Sequence, residues 1–353
     1  MHFEIVFFYC LILVISFIVF YKAYHWAPYF KLIHTPHLER HLHKEGTPLV
    51  GGVGLFLIFF LVVTLEIMVS GFLTADYMYV IAGALVLFAT GFVDDRNHIK
   101  PTARLFAQIV AASLLVVGAD NAVLSLGFIL PGTALFLGDW ATLFTIAAVV
   151  TAINAFNMID GIDGLSAGLA AVVLCFVIAL NPSFENIFFL VASSLLIALG
   201  VFLVFNLGLA GSKRKVFLGD AGSTLLGYFC AWLLIATHNE QSDFLTPIGV
   251  VFLLLIPILD VFSVMFVRLY NGMSPFKADQ NHIHHLLILF GLTDKKALII
   301  IVTLAILSGL LGLFHLQLGI AEHWLFFLFI LLFITQMVIV NRAVRLKNNT
   351  NFS

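Results

Sequence analysis

Apolar runs long enough to cross a bilayer recur along this chain from end to end, and no polar stretch between them is long enough to form a soluble domain. Of the 353 residues, 62% are hydrophobic and 10% charged, where soluble domains carry about 25% charged residues. The chain is therefore an integral membrane protein. Each crossing needs about 20 residues as a helix. Helices are expected near 3–24, 49–69, 77–93, 104–119, 139–157, 165–181, 186–207, 219–236, 247–267, 297–318 and 324–341. That is an all-α polytopic fold of about eleven transmembrane helices. Residues 1–341 read as a single membrane-embedded domain, and 342–353 as a basic, polar tail. The opening M-H-F-E has no basic flank and no small-residue cleavage site follows it, so the first run reads as a retained helix. Cys10, Cys175 and Cys230 lie inside apolar runs, without metal-ligand spacing.

Charge sets the orientation. With the N-terminus outside, every second connection faces the cytoplasm: 22–48, 94–104, 158–164, 208–218, 268–296 and the tail after Asn341. All 17 Lys and Arg residues fall in these segments. The opposite connections carry acids instead, among them Asp76, Asp120, Asp139, Glu185, Glu240, Asp243 and Glu322. The positive-inside rule then gives a periplasmic N-terminus and a cytoplasmic C-terminus. One misplaced helix would scatter these charges over both faces.

The same topology puts four unusual polar segments at the cytoplasmic face. The first is G-F-V-D-D-R at 91–96. Asp94 and Asp95 repel each other, and a helix C-terminus beside them makes the repulsion worse. A divalent cation would explain the pair; so would a solvated helix end with Arg96 as counter-ion. The second segment is N-A-F-N-M-I-D-G-I-D-G at 154–164. Asn154 and Asn157 are three apart, as are Asp160 and Asp163. On a helix continuing past Asn157 this spacing lines one face with oxygen ligands. An N-cap at Asp163 accounts for one acid but not for the whole set, and polar clusters within a membrane point to function.

The third segment is V-F-L-G-D-A-G-S-T at 216–224. Asp220 opens a helix there, where N–H groups favour a phosphate and Ser223 and Thr224 add hydroxyls. Close packing through Gly219, Gly222, Ser223 and Gly227 explains the small residues equally well. The fourth is S-P-F-K-A-D-Q-N-H-I-H-H-L at 274–286. His282, His284 and His285 lack zinc spacing; they form either an interfacial cluster or a set of donors for phosphate oxygens. There is no P-loop and no G-x-G-x-x-G, so simple NTP hydrolysis and dinucleotide redox chemistry find no support. Carboxylates, amides, histidines and cations at one water–lipid boundary suit phosphosugar transfer from a soluble diphosphate to a membrane acceptor.

In this order, D-D-R, N-A-F-N-M-I-D-G-I-D-G-L, V-F-L-G-D-A-G-S-T and H-I-H-H resemble the polyprenyl-phosphate N-acetylhexosamine-1-phosphate transferase superfamily, glycosyltransferase family 4. The last motif looks like the N-acetylglucosamine branch rather than the phospho-N-acetylmuramoyl-pentapeptide branch, which has consecutive histidines.

The resemblance implies that UDP-N-acetylglucosamine and undecaprenyl phosphate give undecaprenyl-diphospho-N-acetylglucosamine and UMP, opening a lipopolysaccharide, O-antigen or enterobacterial-common-antigen type of surface polymer. A related donor, another UDP-N-acetylhexosamine or the muramoyl-pentapeptide, is the alternative. The resemblance also implies Mg²⁺, with Mn²⁺ as substitute, held by Asp220, Asp94 and Asp95. Asp94, Asp95, Asp160 and Asp163 are its implied catalytic residues. Asn154, Asn157, Asn206, Phe217, Lys215, Arg104, His282, His284 and His285 are implied to bind substrate, with Phe217 stacking on uracil. Partners would be the two substrates and membrane lipid, without nucleic acid and with a homodimer as the candidate assembly. The setting would be the bacterial inner membrane. A secondary transporter is disfavoured: the sequence shows no internal repeat, and its acids do not lie near the membrane midplane.

Overall fold

In the computed structural model all of the expected apolar runs are helical, over the described residues 2–34, 46–70, 75–274 and 281–350. The helices are α1 (His2–Tyr21), α2 (Ala23–Trp26), α3 (Gly51–Ser70), α4 (Ala75–Asn97), α5 (Pro101–Ser113), α6 (Ala141–Ile159) and α7 (Leu165–Leu180). They continue with α8 (Ile187–Asn206), α9 (Gly219–Glu240), α10 (Pro247–Leu253), α11 (Leu255–Tyr270), α12 (Ile283–Leu289), α13 (Asp294–Phe314) and α14 (Glu322–Thr350). One two-stranded antiparallel pair, β1 (Ile33–His34) with β2 (Thr47–Pro48), completes the elements used below. The protein is an all-α, multi-pass membrane protein.

By length and composition, nine helices among the described residues can cross a bilayer, and the bent pair α10–α11 is a tenth. The remaining expected run, α7, has 16 residues. At 1.5 Å per residue it falls short of a hydrocarbon core of about 30 Å. The run expected as one helix at 247–267 is broken at Leu254 by an 81° bend. Pro257 explains the break: it has no N–H for the carbonyl of Leu253, and its ring crowds that carbonyl. Helix α14 runs on to Thr350, past the end expected at 341.

The chain divides into two compact units, residues 1–120 with 174–229, and residues 121–173 with 230–353. In the first, Phe20 on α1 meets Phe202 and Phe205 on α8 at ring-centroid distances of 5.7 and 6.4 Å, and its ring lies against Gly54 on α3. Phe56 on α3 stacks on Phe88 of α4 at 4.4 Å. Between lipid-embedded helices such contacts, rather than the exclusion of water, supply cohesion. Outward residues of α1 such as Phe7, Val14 and Ile18 stay exposed, as a lipid-facing surface requires. In the second unit α10 meets α13 at Gly249 and Gly312, where a Cβ on Gly249 would lie 2.7 Å from the Gly312 carbonyl oxygen. Helix α11 packs on α6 and α14, with Val264, Val267, Leu286, Val340 and Ala343 in one buried cluster.

Candidate active site

The candidate residues fall into two clusters, one in each unit. The first is built where α4, α5 and the start of α9 meet. Successive residues on a helix point about 100° apart, so Asp94 and Asp95 serve different partners. Asp94 accepts from Ile99 N–H at 2.8 Å and from Arg104 Nη1 at 2.9 Å, and is itself buried. It thus closes the α4–α5 turn and orients the guanidinium. Pro101, with its preset φ, starts α5 just beyond that turn.

Asp95 reaches across to α9. Its Oδ1 accepts from Asp220 N–H at 2.7 Å and its Oδ2 from Ala221 N–H at 3.2 Å. These are first-turn donors that no carbonyl of α9 can satisfy. The anion that the sequence suggested at this helix start is therefore, for these two N–H groups, a carboxylate of the protein itself. Ser223 and Thr224 turn their hydroxyls back onto carbonyls of their own helix, at 3.1 and 2.7 Å. Gly219 is required here: its φ is +75°, and a Cβ would sit 2.6 Å from Asp95 Oδ2. A Cβ on Gly91 would run into the Ala221 backbone, so the small residues do pack closely, as the plainer reading of this motif had it.

The Asp220 side chain is 35% exposed and lies 3.9 Å from Arg104 Nη1. Two carboxylates, Asp94 and Asp220, thus share one guanidinium, while Asp95 holds the α9 backbone beside them. Main-chain bonds hold the segment before Asp220: Val50 and Gly51 donate to the Phe217 carbonyl, and Phe217 donates to Pro48 at the end of β2. Buried Asn206 donates to the Val216 carbonyl at 2.9 Å, so it braces this segment from α8. The Phe217 ring has the Lys215 ammonium 5.4 Å away and the His34 ring edge-on at 5.8 Å.

The second cluster joins the other two motifs. Helix α6 carries Asn154 and Asn157 but stops at Ile159, so Asp160 and Asp163 do not continue its polar face as the spacing suggested. Gly161 and Gly164 permit the turn: Gly161 N–H bonds back to Ile159 at 2.8 Å, and Gly164 has φ +78°. Asn154 donates to its own helix at Val150. Ser166 at the start of α7 donates to Phe156, fastening the loop at its far end.

Against this loop lies His284. A Cβ on Gly161 would overlap its Nε2, so the backbone of the acidic loop and the imidazole are in direct contact. His284 is 1% exposed and neither ring nitrogen has a hydrogen-bond partner. Its ring lies parallel to that of His282 at 6.0 Å and next to that of His285 at 4.1 Å. Burial, then the charges of His285 and His282, push its pKa down to about 3. His284 is therefore neutral at pH 7, able to offer one donor and one acceptor. Lys277, Asp279 and Gln280 of the same motif lie outside the described residues.

One further residue, Asp260 on α11, was not singled out from the sequence. It is 1% exposed and accepts from His282 Nδ1 at 2.7 Å. An acid within the apolar run L-I-P-I-L-D-V-F was the available signal.

The depressed His284 pKa has a testable sign. Between pH 6.5 and about 3 the unfolded chain takes up a proton at His284 that the fold refuses. Stability therefore falls as pH drops through that window, by about 2 kcal/mol at pH 5. The melting midpoint of the wild type should drop further between pH 7 and 5 than that of His284→Gln. Equal drops would show that His284 is not held neutral.

Comparison with known proteins supports the family resemblance. The profile of the family described as glycosyl transferase family 4 matches residues 77–238, which include Asp94, Asp160 and Asp220 but not the histidines. Relatives named undecaprenyl-phosphate alpha-N-acetylglucosaminyl 1-phosphate transferase match over far more. The Pasteurella multocida protein is 35% identical, across 89% of this chain and 87% of its own length. The Yersinia pestis protein is 31% identical across 87% and 83%, and the Salmonella typhi protein 33% across 79% and 75%. Matching motifs, a matching profile and relatives aligned over most of both lengths place this chain in glycosyl transferase family 4.

Proposed function

We propose that the protein transfers N-acetylglucosamine 1-phosphate from UDP-N-acetylglucosamine to undecaprenyl phosphate. The observation that carries this reading is the meeting of Asp94, Asp95, Asp220 and Arg104 at one helix start, in a chain similar over most of its length to relatives that bear that transferase name. An oxygen of the lipid phosphate attacks the sugar-bearing β-phosphorus of the donor. The bond from that phosphorus to the bridging oxygen breaks, and UMP leaves with the oxygen. The products are undecaprenyl-diphospho-N-acetylglucosamine and UMP.

The residues divide this work by what already occupies them. Both oxygens of Asp95 are bonded to the first turn of α9, so Asp95 places Asp220 rather than touching substrate. Asp94, beside Arg104, orients the lipid phosphate or takes its proton, and Arg104 draws the anion in. Phe217 offers a face for uracil, flanked by the Lys215 ammonium. In the other unit, Asn157, Asp160 and Asp163 bond nucleotide and sugar groups. His282, His284 and His285 hold the sugar phosphate, and neutral His284 can donate without adding charge.

The donor set fits a hard divalent cation, Mg²⁺ with Mn²⁺ as substitute: two carboxylates, Asp94 and Asp220, converge on one guanidinium. Among the described residues no three or more His, Cys, Asp or Glu side chains are arranged to hold a metal unaided. That suits an ion which takes one or two protein carboxylates and completes its shell with phosphate and water. Asp220 and Asp94 would hold it. When bound it neutralises charge on the transferred phosphoryl group and on the departing UMP. The orientation proposed here is N-terminus periplasmic, C-terminus cytoplasmic and acidic cluster cytoplasmic, in a bacterial inner membrane. Its support is the placement of all 17 Lys and Arg residues.

Purified protein with UDP-N-acetylglucosamine, undecaprenyl phosphate and Mg²⁺ should release UMP and form the lipid diphosphosugar. No UMP from the complete mixture would sink the reading. UMP release and a phosphosugar-labelled protein without lipid would replace direct attack by a covalent intermediate. Efficient use of UDP-N-acetylmuramoyl-pentapeptide would overturn the choice of sugar.

A further inference from the structure

Asp260 is a carboxylate in the middle of an apolar helix, and a buried charge is tolerated only when its oxygens are satisfied. Here three groups from two segments of one unit satisfy them. His282 Nδ1 approaches Oδ2 to 2.7 Å, and Ile283 N–H donates to Oδ1 at 2.7 Å. Gln336 Nε2, from α14, lies 3.5 Å from the same Oδ1. A carboxylate only accepts, so Nδ1 must carry the hydrogen, and Nε2 then faces away from Asp260. The Ile283 bond does a second job: His282 precedes α12 with no side-chain cap of its own, and Asp260 supplies one from another helix. One carboxylate thus sets both the ring and the backbone at the start of H-I-H-H.

We propose that Asp260 is a positioning residue: it holds His282 in the Nδ1–H tautomer and fixes its ring so that Nε2 addresses the sugar phosphate of the donor. This rests on the reading of His282 as a substrate contact. Asp260 touches no substrate, and its effect passes through His282. The parallel stacking of His282 on His284 extends the same orientation to the next histidine of the motif. Partners of this kind, which fix a histidine through its second nitrogen, typically matter by 10- to 100-fold where histidines serve as ligands.

A double-mutant cycle with a spectroscopic arm tests the proposal on the full-length protein in detergent. Asp260→Asn keeps the shape but loses one acceptor and frees the tautomer. Its kcat per folded enzyme should fall by roughly tenfold or more, with KM for undecaprenyl phosphate unchanged. His282→Gln should fall comparably. The double variant should be no worse than His282→Gln alone, because Asp260 then has nothing left to position. Additive losses, or an unchanged kcat in Asp260→Asn, would overturn the proposal, since a merely structural role adds to the loss of His282. Ring ¹⁵N spectra, with His282 assigned from His282→Gln, should show a protonated Nδ1 in the wild type and a mixture in Asp260→Asn. If the wild type releases no UMP from UDP-N-acetylglucosamine, the functional reading fails, while the spectra still decide the pairing. An unprotonated Nδ1 in the wild type would refute it.

Discussion

Replacing Asp220 with Asn is expected to remove transfer activity by roughly two to three orders of magnitude or more while leaving the protein folded. The two halves of this expectation come from different parts of one residue. The Asp220 backbone N–H is what Asp95 holds, and the substitution leaves that bond intact. The side chain is 35% exposed and shares Arg104 with Asp94, so it belongs to the charged centre rather than to the packing. An amide of the same shape fills the same space but cannot supply an anionic oxygen to a cation. The melting midpoint should stay level or rise slightly, because one of two neighbouring negative charges is gone. Rates measured across a Mg²⁺ titration, alongside melting in the same detergent, decide the matter. Near-normal turnover at limiting Mg²⁺ would remove Asp220 from the cation site. Asp95→Ala should behave differently, losing folded protein as well, since it leaves the Asp220 and Ala221 N–H groups without their acceptor.

The second large effect needs no titratable residue. Gly161→Ala should cut kcat by roughly tenfold or more, about 1.4 kcal/mol of transition-state stabilisation, because the new methyl group takes the space of His284 Nε2. The imidazole is buried with both nitrogens unpartnered, so a small displacement changes what it can reach. His284→Ala should cost at least as much. Combined, the two should do no more harm than His284→Ala alone, since the methyl then enters vacated room. Gly200→Ala is the control, as a Cβ there meets nothing within 4 Å. Losses that simply add, or a Gly161→Ala enzyme with wild-type rates, would show that loop and histidine are independent of each other in catalysis.

Much of this protein could be read before any coordinates. Helix order and the four polar segments follow from hydropathy and residue identity, because lipid forces every crossing segment to satisfy its own backbone. The number of crossings does not, since about eleven were expected and nine, or ten with the bent pair, qualify among the described residues. All eleven runs form helices where the apolar stretches lie, and Asp94, Asp95, Asp220 and the histidines stand out as polar residues in an oily chain. Asp260 carried the same signal in a weaker form, since one acid within a helix gives no motif to recognise. Its meaning depends on His282, which lies 22 residues away in sequence.

What the chain could not reveal by itself was which polar groups are already engaged. The spacing of Asn154, Asn157, Asp160 and Asp163 suggested one helical face, but α6 ends at Ile159 and glycine turns the acids into a loop against His284. Adjacent Asp94 and Asp95 looked alike, yet one faces Arg104 and the other fastens α9. The bend at Leu254 was hidden in a largely apolar run, with Pro257 its single mark. Composition and period determine which segments enter the membrane, since that is a local balance between each segment and lipid. Which carboxylate accepts from which N–H is decided by helices distant in sequence meeting at glycines, and only the tertiary structure brings those donors and acceptors together.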